Sequence, residues 1–265
     1  MKILVPIKQV VTLDEDFEFT PDNRDVDHDF HIYDLNEWDD YSLEEALLIK
    51  ESNDSPIEII VCTVGNEYAD ESLRKCLAKG ADRAIRVWSN ELKNTDSIGI
   101  ARIIAHIARR EEPQLILTGV QSSDFAHSTT GVATAGILGW PYAAVVNRFE
   151  PDHDFTKASI LRELEGGLEE AMNIDLPAVI TIQVGINKPR YASLRGIKQA
   201  QSIPIEEATP DSLGMIDSEI GESGSASIIK KMFIPEKLST AIIIEGTPAQ
   251  QASKLAKIIN DFKGV

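Results

Sequence analysis

Short apolar runs and helix-period patterns alternate along the first 140 residues of the chain. Uninterrupted apolar runs favour buried strands, and apolar residues that recur every three or four positions favour amphipathic helices. The predicted strands are 3–7, 57–63, 84–88 and 115–118, and the predicted helices are 43–51, 70–79, 97–110 and 129–138. Strand–helix alternation is typical of a parallel sheet covered on both faces. The predicted fold class is therefore α/β, with a Rossmann-like parallel sheet and helices on both faces.

The pattern changes after Pro141, where strand-like runs follow one another without helices between them. Gly166-Gly167 separates two of these runs and is a hairpin signal. An antiparallel hairpin addition to the sheet is therefore expected. The strands predicted in this part are 143–147, 159–165, 168–174 and 178–184.

The last quarter of the chain differs in composition from the rest. From 205 it is acidic and rich in glycine and serine, which is typical of a linker. A strand-like run at 240–245 and an amphipathic helix at 248–262 follow. The predicted domains are an α/β nucleotide-binding domain at 1–204, a linker at 205–235 and a C-terminal arm at 236–265.

Charge and composition limit the classes of partner. Forty-three acidic residues against 26 basic ones give a net charge of −17, which disfavours nucleic acid over most of the surface. No apolar run is long enough to cross a bilayer, and the N-terminus lacks the pattern of a signal or transit peptide, so a cytoplasmic protein is expected. Cys62 and Cys76 lie in apolar patterns and are interpreted as core residues in a reducing compartment.

The loop after the predicted strand 115–118 is rich in hydroxyl groups, and we call residues 119–130 the hydroxyl loop. Gly119 permits a close approach of a ligand to the backbone. Hydroxyl donors and the N-terminus of the following helix suit a phosphate, at the sheet edge where such folds bind ligands. The alternative is a helix capped by Ser128 or Thr129 without a ligand, and neither G-x-G-x-x-G nor G-K-[ST] is present. The hydroxyl side chains are Ser122, Ser123, Ser128, Thr129 and Thr130.

Cations surround two apolar side chains at 187–200, in a chain that is otherwise strongly acidic. Pro189 keeps the entry to this segment extended, and Tyr191 and Leu194 stand among the cations. An apolar anchor framed by charges is typical of a docking loop, and the alternative is a solvated loop that leads into a helix. The cations are Lys188, Arg190, Arg195 and Lys198.

The amino-acid sequence of this segment resembles the recognition loop of the β subunit of electron-transfer flavoproteins, the small subunit of heterodimeric flavin electron carriers. Further segments resemble the same family in the same order, from 1 to about 213. They are MKILVPIK (1–8), NEWD (36–39), LEEA (43–46), KGADRA (79–84), RELEGGL (162–168) and LPAV (176–179). A collinear resemblance of this extent is more specific than any single motif, and it sets the recognition loop at 185–201.

The resemblance implies that this chain holds a structural AMP, with its phosphate on the hydroxyl loop. Two departures from the family wording stand out. Pro6 has no N–H to offer to an adenine edge, and hydroxyl groups replace the acidic and amide residues common in the family's loop. Electron-bifurcating members bind a second FAD at this place, but their loop sequence is absent here, which favours AMP. The implied AMP-binding residues are Pro6, Asn36, Asp39, Val64, Gly119, Gln121, Ser122, Ser123, Ser128, Thr129 and Thr130.

The resemblance also implies a heterodimer in which an α subunit holds most of the redox FAD and receives the C-terminal arm. Leu13 corresponds to a position near the flavin ring, and Glu163 to a strand position that contacts the mobile flavin domain. The implied contacts with a flavoprotein dehydrogenase are Arg190, Tyr191, Leu194 and Arg195.

Two sequence details bear on the partner and on alternative functions. The wording at 36–40 and 191–196 is most similar to carriers of methylotrophic bacteria, which accept electrons from trimethylamine-type dehydrogenases. His28 and His31, beside two aspartates, are more typical of a solvated loop than of a metal site. No metal ligand and no catalytic residue are predicted, so the expected role is that of an electron carrier subunit and not of an enzyme. The alternative from another class is a nucleotide-binding regulatory or stress-type protein without a redox partner.

Overall fold

Strands and helices alternate over the residues that the computed structural model describes, which are 1–13, 16–236, 241 and 243–262. The strands are β1 (Lys2–Pro6), β2 (Gln9–Leu13), β3 (His31–Leu35), β4 (Glu58–Val64), β5 (Arg83–Val87), β6 (Leu115–Gly119), β7 (Tyr142–Pro151), β8 (Lys157–Leu164), β9 (Leu168–Asp175), β10 (Ala178–Ile182) and β11 (Ile205–Ala208). The helices are α1 (Glu37–Glu51), α2 (Asp70–Lys79), α3 (Ser97–Glu111), α4 (Thr130–Leu138), α5 (Leu194–Ala200), α6 (Gly221–Gly224) and α7 (Pro248–Phe262).

The main sheet has nine strands in the order β11-β5-β4-β1-β6-β10-β7-β8-β9. The pairs from β11 to β7 are parallel, whereas β7–β8 and β8–β9 are antiparallel. β2 and β3 form a separate antiparallel pair. Gly166 and Gly167 both have φ of +75°, the backbone that a tight hairpin turn requires. The predicted α/β class and the antiparallel addition are confirmed.

Successive residues of the central strands point into two different core layers. Ile3 and Val5 lie in one layer together with residues of α1 and α2. Leu4 lies in the other layer, with Ile103 of α3 and Ala135 of α4. Because a strand that is buried on both faces needs apolar residues at every position, this arrangement explains the uninterrupted apolar runs. Helices therefore cover both faces of the sheet, as the sequence predicts.

The predicted linker 205–235 is wrong over most of its length. β11 pairs in parallel with β5 at the edge of the sheet, and Met215 and Ile220 are buried in the core. An edge strand buries little, and Ala208 is the buried residue of β11. Its two glutamates face cations: Glu206 pairs with Arg110 at 2.7 Å and Glu207 with Arg86 at 3.2 Å. The acidic residues of β11 therefore form ion pairs with neighbouring cations. Composition alone does not distinguish such residues from the solvated acids of a linker.

The chain forms two compact units, Met1–Lys231 and Met232–Val265, in place of a boundary near 236. One carboxylate fixes the end of the first unit: Asp96 caps α3 through the N–H groups of Ile98 and Gly99, and also accepts from Ala226 N and Ser227 N, each at 2.9 Å. In the second unit, α7 matches the predicted helix.

The strand-like run predicted at 240–245 is only partly covered by the structure. Thr240 and Ile242 lie outside the described residues, and 243–245 are not a strand. Among the described residues, no helix is both long and apolar enough to span a membrane.

Candidate nucleotide site and recognition loop

The hydroxyl loop lies where the strand order of the sheet reverses. The chain moves from β1 to β4 and β5 on one side, and then returns to place β6 on the other side of β1. In open α/β sheets, the crevice beyond the carboxyl ends of the two strands at this reversal is the usual ligand site. Residues that follow β1 and β6 therefore line the position where a ligand is expected.

Two buried side chains at the start of α1 hold this crevice together. Asn36 donates from Nδ2 to Gln121 O at 2.9 Å and accepts from Ser123 N at 3.2 Å. Asp39 accepts from Lys8 N at 2.7 Å and from Gly119 N at 3.1 Å. These residues thus organise the backbone after β1 and β6, and their polar groups are already engaged within the protein.

Asp39 carries a buried carboxyl group. Burial raises its pKa from the ordinary value of 3.8 to about 7, although hydrogen bonds from Lys8 N and Gly119 N favour the ionised form. The packing around it is tight, because a Cβ at position 119 would meet Trp38 and Asp39. Gly119 is therefore required for the close packing of α1 on β6, a reason that sequence reasoning missed.

Helix α4 begins without a side-chain cap, so the predicted alternative of a cap by Ser128 or Thr129 is wrong. The Ser128 hydroxyl donates to Gln121 Oε1 at 3.2 Å, and the Thr129 hydroxyl donates to His127 O at 2.6 Å. Both hydroxyl groups are therefore turned into the loop. The backbone N–H groups in the first turn of α4 are left for another acceptor, which is the arrangement that binds phosphates.

Thr118 lies beneath that first turn and is 5% exposed. Its hydroxyl has no hydrogen-bond partner in the described part of the chain. A Cβ at Gly131 would collide with this hydroxyl, so α4 lies directly against the end of β6. A buried polar group without a partner is rare in folded proteins, and this one lies next to the candidate ligand crevice.

Lys8 is a functional candidate that sequence reasoning missed. Its ammonium lies 2.6 Å from Asp124 Oδ1, 3.4 Å from Ser122 Oγ and 4.7 Å from the centre of the Phe125 ring. Its position in the sequence could have indicated this role, because Lys8 follows the end of the first strand by two residues, at the sheet edge where ligands bind. Of the other predicted AMP residues, Pro6 ends β1 and Val64 ends β4, so both lie at the same edge.

Other candidate positions lie on different elements. Leu13 is 37% exposed and pairs with His31 in the two-stranded sheet. Glu163 lies on β8, where it accepts from Gln183 Nε2 at 3.0 Å. His28 and His31 face each other through Nδ1 atoms 3.3 Å apart. Within the described ranges, no group of three or more His, Cys, Asp or Glu side chains is arranged to hold a metal ion.

The recognition loop presents two apolar side chains to solvent. Tyr191 is 96% exposed and Leu194 is 88% exposed. Ser193 caps α5 by accepting from Gly196 N at 3.0 Å, so Leu194 stands at the start of a short helix. Arg195 is exposed, whereas Arg190 is half-buried in ion pairs with Glu44 and Glu51. The structure thus separates the four predicted docking residues into three that face outward and one that faces α1.

Comparison with known proteins identifies the class. The electron transfer flavoprotein domain matches residues 29–213. The chain is 53% identical over 264 residues to the electron transfer flavoprotein subunit beta of Methylophilus methylotrophus, covering 100% of both chains. It is 39% identical over 213 residues to the mitochondrial electron transfer flavoprotein subunit beta of Arabidopsis thaliana, covering 80% of this chain and 83% of the relative. It is 33% identical over 217 residues to the electron transfer flavoprotein subunit beta of Homo sapiens, covering 81% and 84%.

The chain therefore belongs to the electron transfer flavoprotein family. Within that family its similarity is to the β subunits, including that of a methylotrophic bacterium along the full length of both chains. The resemblance that the sequence motifs indicated is confirmed.

Proposed function

We propose that this chain is the β subunit of a heterodimeric electron carrier that accepts electrons from a flavoprotein dehydrogenase. The observation that carries the proposal is the full-length similarity to the subunit beta of Methylophilus methylotrophus, which includes the C-terminal arm. A chain that presents large exposed apolar side chains suits a carrier in which recognition and electron transfer lie on different subunits.

The α subunit supplies the redox group in this proposal, by holding most of the FAD. The apolar side chains of α7 support a contact with that subunit, because Leu255, Ile258 and Ile259 are 50%, 43% and 46% exposed and Phe262 is 80% exposed. Leu13 and Glu163 are the positions proposed to lie near the flavin or its mobile domain. A carboxylate at 163 would favour domain orientations that bring a cation to it.

AMP is the nucleotide proposed for the crevice between β1 and β6. Its phosphate would accept hydrogen bonds from the uncapped first turn of α4 and from hydroxyl groups such as Thr130, close to the Lys8 ammonium. Pro6 and Val64 end two adjacent strands at the same edge of the sheet, which supports their proposed place beside the base. In this proposal AMP is structural, and Asn36 and Asp39 act by holding the loop that binds it.

Docking on the dehydrogenase is assigned to Leu194 and Tyr191, with Arg195 as an orienting charge. Large exposed side chains at the tip of a held loop are the form that interface anchors take. The proposed dehydrogenase is of the trimethylamine type, by analogy with methylotrophic carriers. While this anchor is held, the flavin domain of the α subunit is free to change orientation.

Co-expression with the α subunit gene tests the proposal. The expected product is a yellow heterodimer that contains equimolar FAD and AMP, measured by absorbance and by chromatography of the acid extract. A colourless chain that does not bind the α subunit would overturn the carrier function. A yellow heterodimer without AMP would overturn only the nucleotide assignment.

A further inference from the structure

The recognition loop is fastened to α1 by one arginine. The Arg190 guanidinium donates to both carboxylate oxygens of Glu44, at 2.9 to 3.1 Å, and to Glu51, at 2.5 and 3.0 Å. Its backbone N–H also donates to Glu44 Oε2 at 3.0 Å. We call these three residues the arginine clamp. A planar guanidinium that meets two carboxylates in this way is held in one orientation.

A neighbouring contact strengthens the same attachment. Asn187 donates from Nδ2 to Glu45 Oε2 at 2.9 Å and to Tyr41 O at 3.1 Å. The carboxylate of Glu44 is 6% exposed, so its charge is balanced mainly by Arg190. Polar contacts therefore hold the segment 187–193 on the side of α1, and Ala192 packs against the core to which α1 belongs.

Helix α5 is attached independently, to α2. A Cβ on Gly196 would collide with Ala78 O, so the two helices are in close contact there. Arg74 donates to Ala200 O at 2.5 Å and also to Ile203 O, beyond the end of α5. The recognition loop thus has two separate attachments, and the arginine clamp controls the part that carries Tyr191 and leads into Leu194.

The charge of Arg190 is already matched inside the chain. Two carboxylates surround it, so the cluster presents no net positive charge to a partner. By contrast, Lys188, Arg195 and Lys198 are exposed and form no ion pair within the described residues. Orientation of an approaching partner by charge therefore falls to those three side chains and not to Arg190.

We propose that Arg190 is a positioning residue, which fixes the segment 187–193 on α1 and does not itself bind the dehydrogenase. The inference rests on the proposed docking function of the recognition loop. A loop that is ordered before docking loses less conformational entropy on binding, so the clamp strengthens docking without touching the partner.

Hydrogen–deuterium exchange on the purified heterodimer tests the attachment directly. Arg190→Met is expected to speed exchange in 187–193 by about tenfold or more, because the local opening becomes easier, while 194–200 stays protected by α2. Glu51→Gln is a milder second variant and is expected to act in the same direction. Asp54→Asn removes one exposed negative charge just beyond α1 and should leave exchange unchanged. Unchanged exchange in both clamp variants would overturn the proposal.

Docking affinity gives a second test, because Glu51→Gln should weaken docking if Arg190 positions the loop and strengthen it if Arg190 binds the dehydrogenase. Titration with trimethylamine dehydrogenase should show Glu51→Gln binding more weakly than Asp54→Asn, with Arg190→Met weakened about tenfold by the restored ordering cost. If Arg190 bound the partner directly, Glu51→Gln would release its charge and strengthen docking. That increase would overturn the proposal.

The salt dependence of docking separates Arg190 from a contact cation. Arg195→Met is expected to weaken docking and to flatten its dependence on ionic strength. The double variant Arg190→Met/Glu51→Gln keeps the net charge of the clamp, so it should weaken docking and leave that dependence as in the wild type. A flattened dependence for the double variant would count against positioning. Failure of the wild-type heterodimer to bind this dehydrogenase would refute the proposed partner, while the exchange experiment still decides the role of the clamp.

Discussion

Helix α1 holds two loops that expose opposite kinds of chemistry. At its N-terminus, Asn36 and Asp39 engage the hydroxyl loop, in which the Ser128 and Thr129 hydroxyls bond within the loop and α4 begins without a side-chain cap. Further along the same helix, Glu44 and Glu51 engage the recognition loop, which turns Arg190 towards the helix and leaves apolar side chains in solvent. One helix thus supports both the proposed nucleotide site and the proposed docking surface.

The largest effect expected is on the hydroxyl-loop side. Asp39→Ala leaves the buried N–H groups of Lys8 and Gly119 without acceptors, which should lower the free energy of unfolding by about 3 kcal/mol. Thermal or urea unfolding of the heterodimer measures it. On the recognition-loop side, Glu51 is the exposed carboxylate of the arginine clamp. Glu51→Gln should therefore lower the free energy of unfolding by less than about 1 kcal/mol. If Asp39→Ala lowered the free energy of unfolding no more than Glu51→Gln does, the two loops would be held with similar strength.

The pH dependence of stability sharpens the same point. Because burial raises the pKa of Asp39 from 3.8 to about 7, the folded state binds a proton more tightly than the unfolded state. The contribution of protonated Asp39 to the free energy of unfolding is fully present below the pKa of the unfolded state. It is lost as the pH rises through about 7, the pKa of the folded state. Comparison of unfolding free energies from pH 4 to 8 should show this loss in the wild type and its absence in Asp39→Asn. Parallel curves for the two proteins would contradict it.

On the recognition-loop side, the main effect should be on binding and not on folding. Leu194→Ala removes an anchor that is 88% exposed, so we expect about 2 kcal/mol less docking energy with stability and flavin content unchanged. Titration with trimethylamine dehydrogenase provides the measurement. Ile216→Ala, at an exposed aliphatic residue outside the loop, is the matched control. Equal affinities for the wild type and Leu194→Ala would remove the docking role.

The smallest effect concerns the unpartnered hydroxyl beneath α4. Thr118→Val removes a buried polar group that has no hydrogen bond within the described chain, so stability should change by less than about 1 kcal/mol, toward greater stability. AMP content, measured in the acid extract, should stay the same, because the hydroxyl lies beneath the helix. A loss of AMP in this variant would instead assign Thr118 to the ligand.

The central architecture could be predicted from the sequence because its strands are buried on both faces. Such strands need uninterrupted apolar runs, which stand out from the helical pattern around them. β11 was missed because an edge strand shows only one buried residue, and β2 and β3 were missed because they are short and half-exposed. The start of α1 was placed too late, since its first turn carries polar residues with structural roles.

The candidate sites divide in the same way. The hydroxyl loop could be located from local sequence, because a strand end, a glycine and a helix start are neighbours in the chain. The role of Arg190 could not, because Glu44 lies 146 residues away and no local signal connects the two. For the same reason, the sequence predicts Arg190 to be a docking cation, whereas in the structure it is half-buried and paired with Glu44 and Glu51. Lys8 was overlooked because the loop it reaches is more than a hundred residues distant.

The carboxylate of Asp96 has a consequence for assembly. By accepting from Ala226 and Ser227 as well as capping α3, it holds the chain close to the point where the first unit ends, at Lys231. If both units contact the same α subunit, as proposed, either contact holds the other at an effective concentration of about millimolar. Dissociation then requires two contacts to open at once, so a modest interface on either part suffices for a long-lived pair.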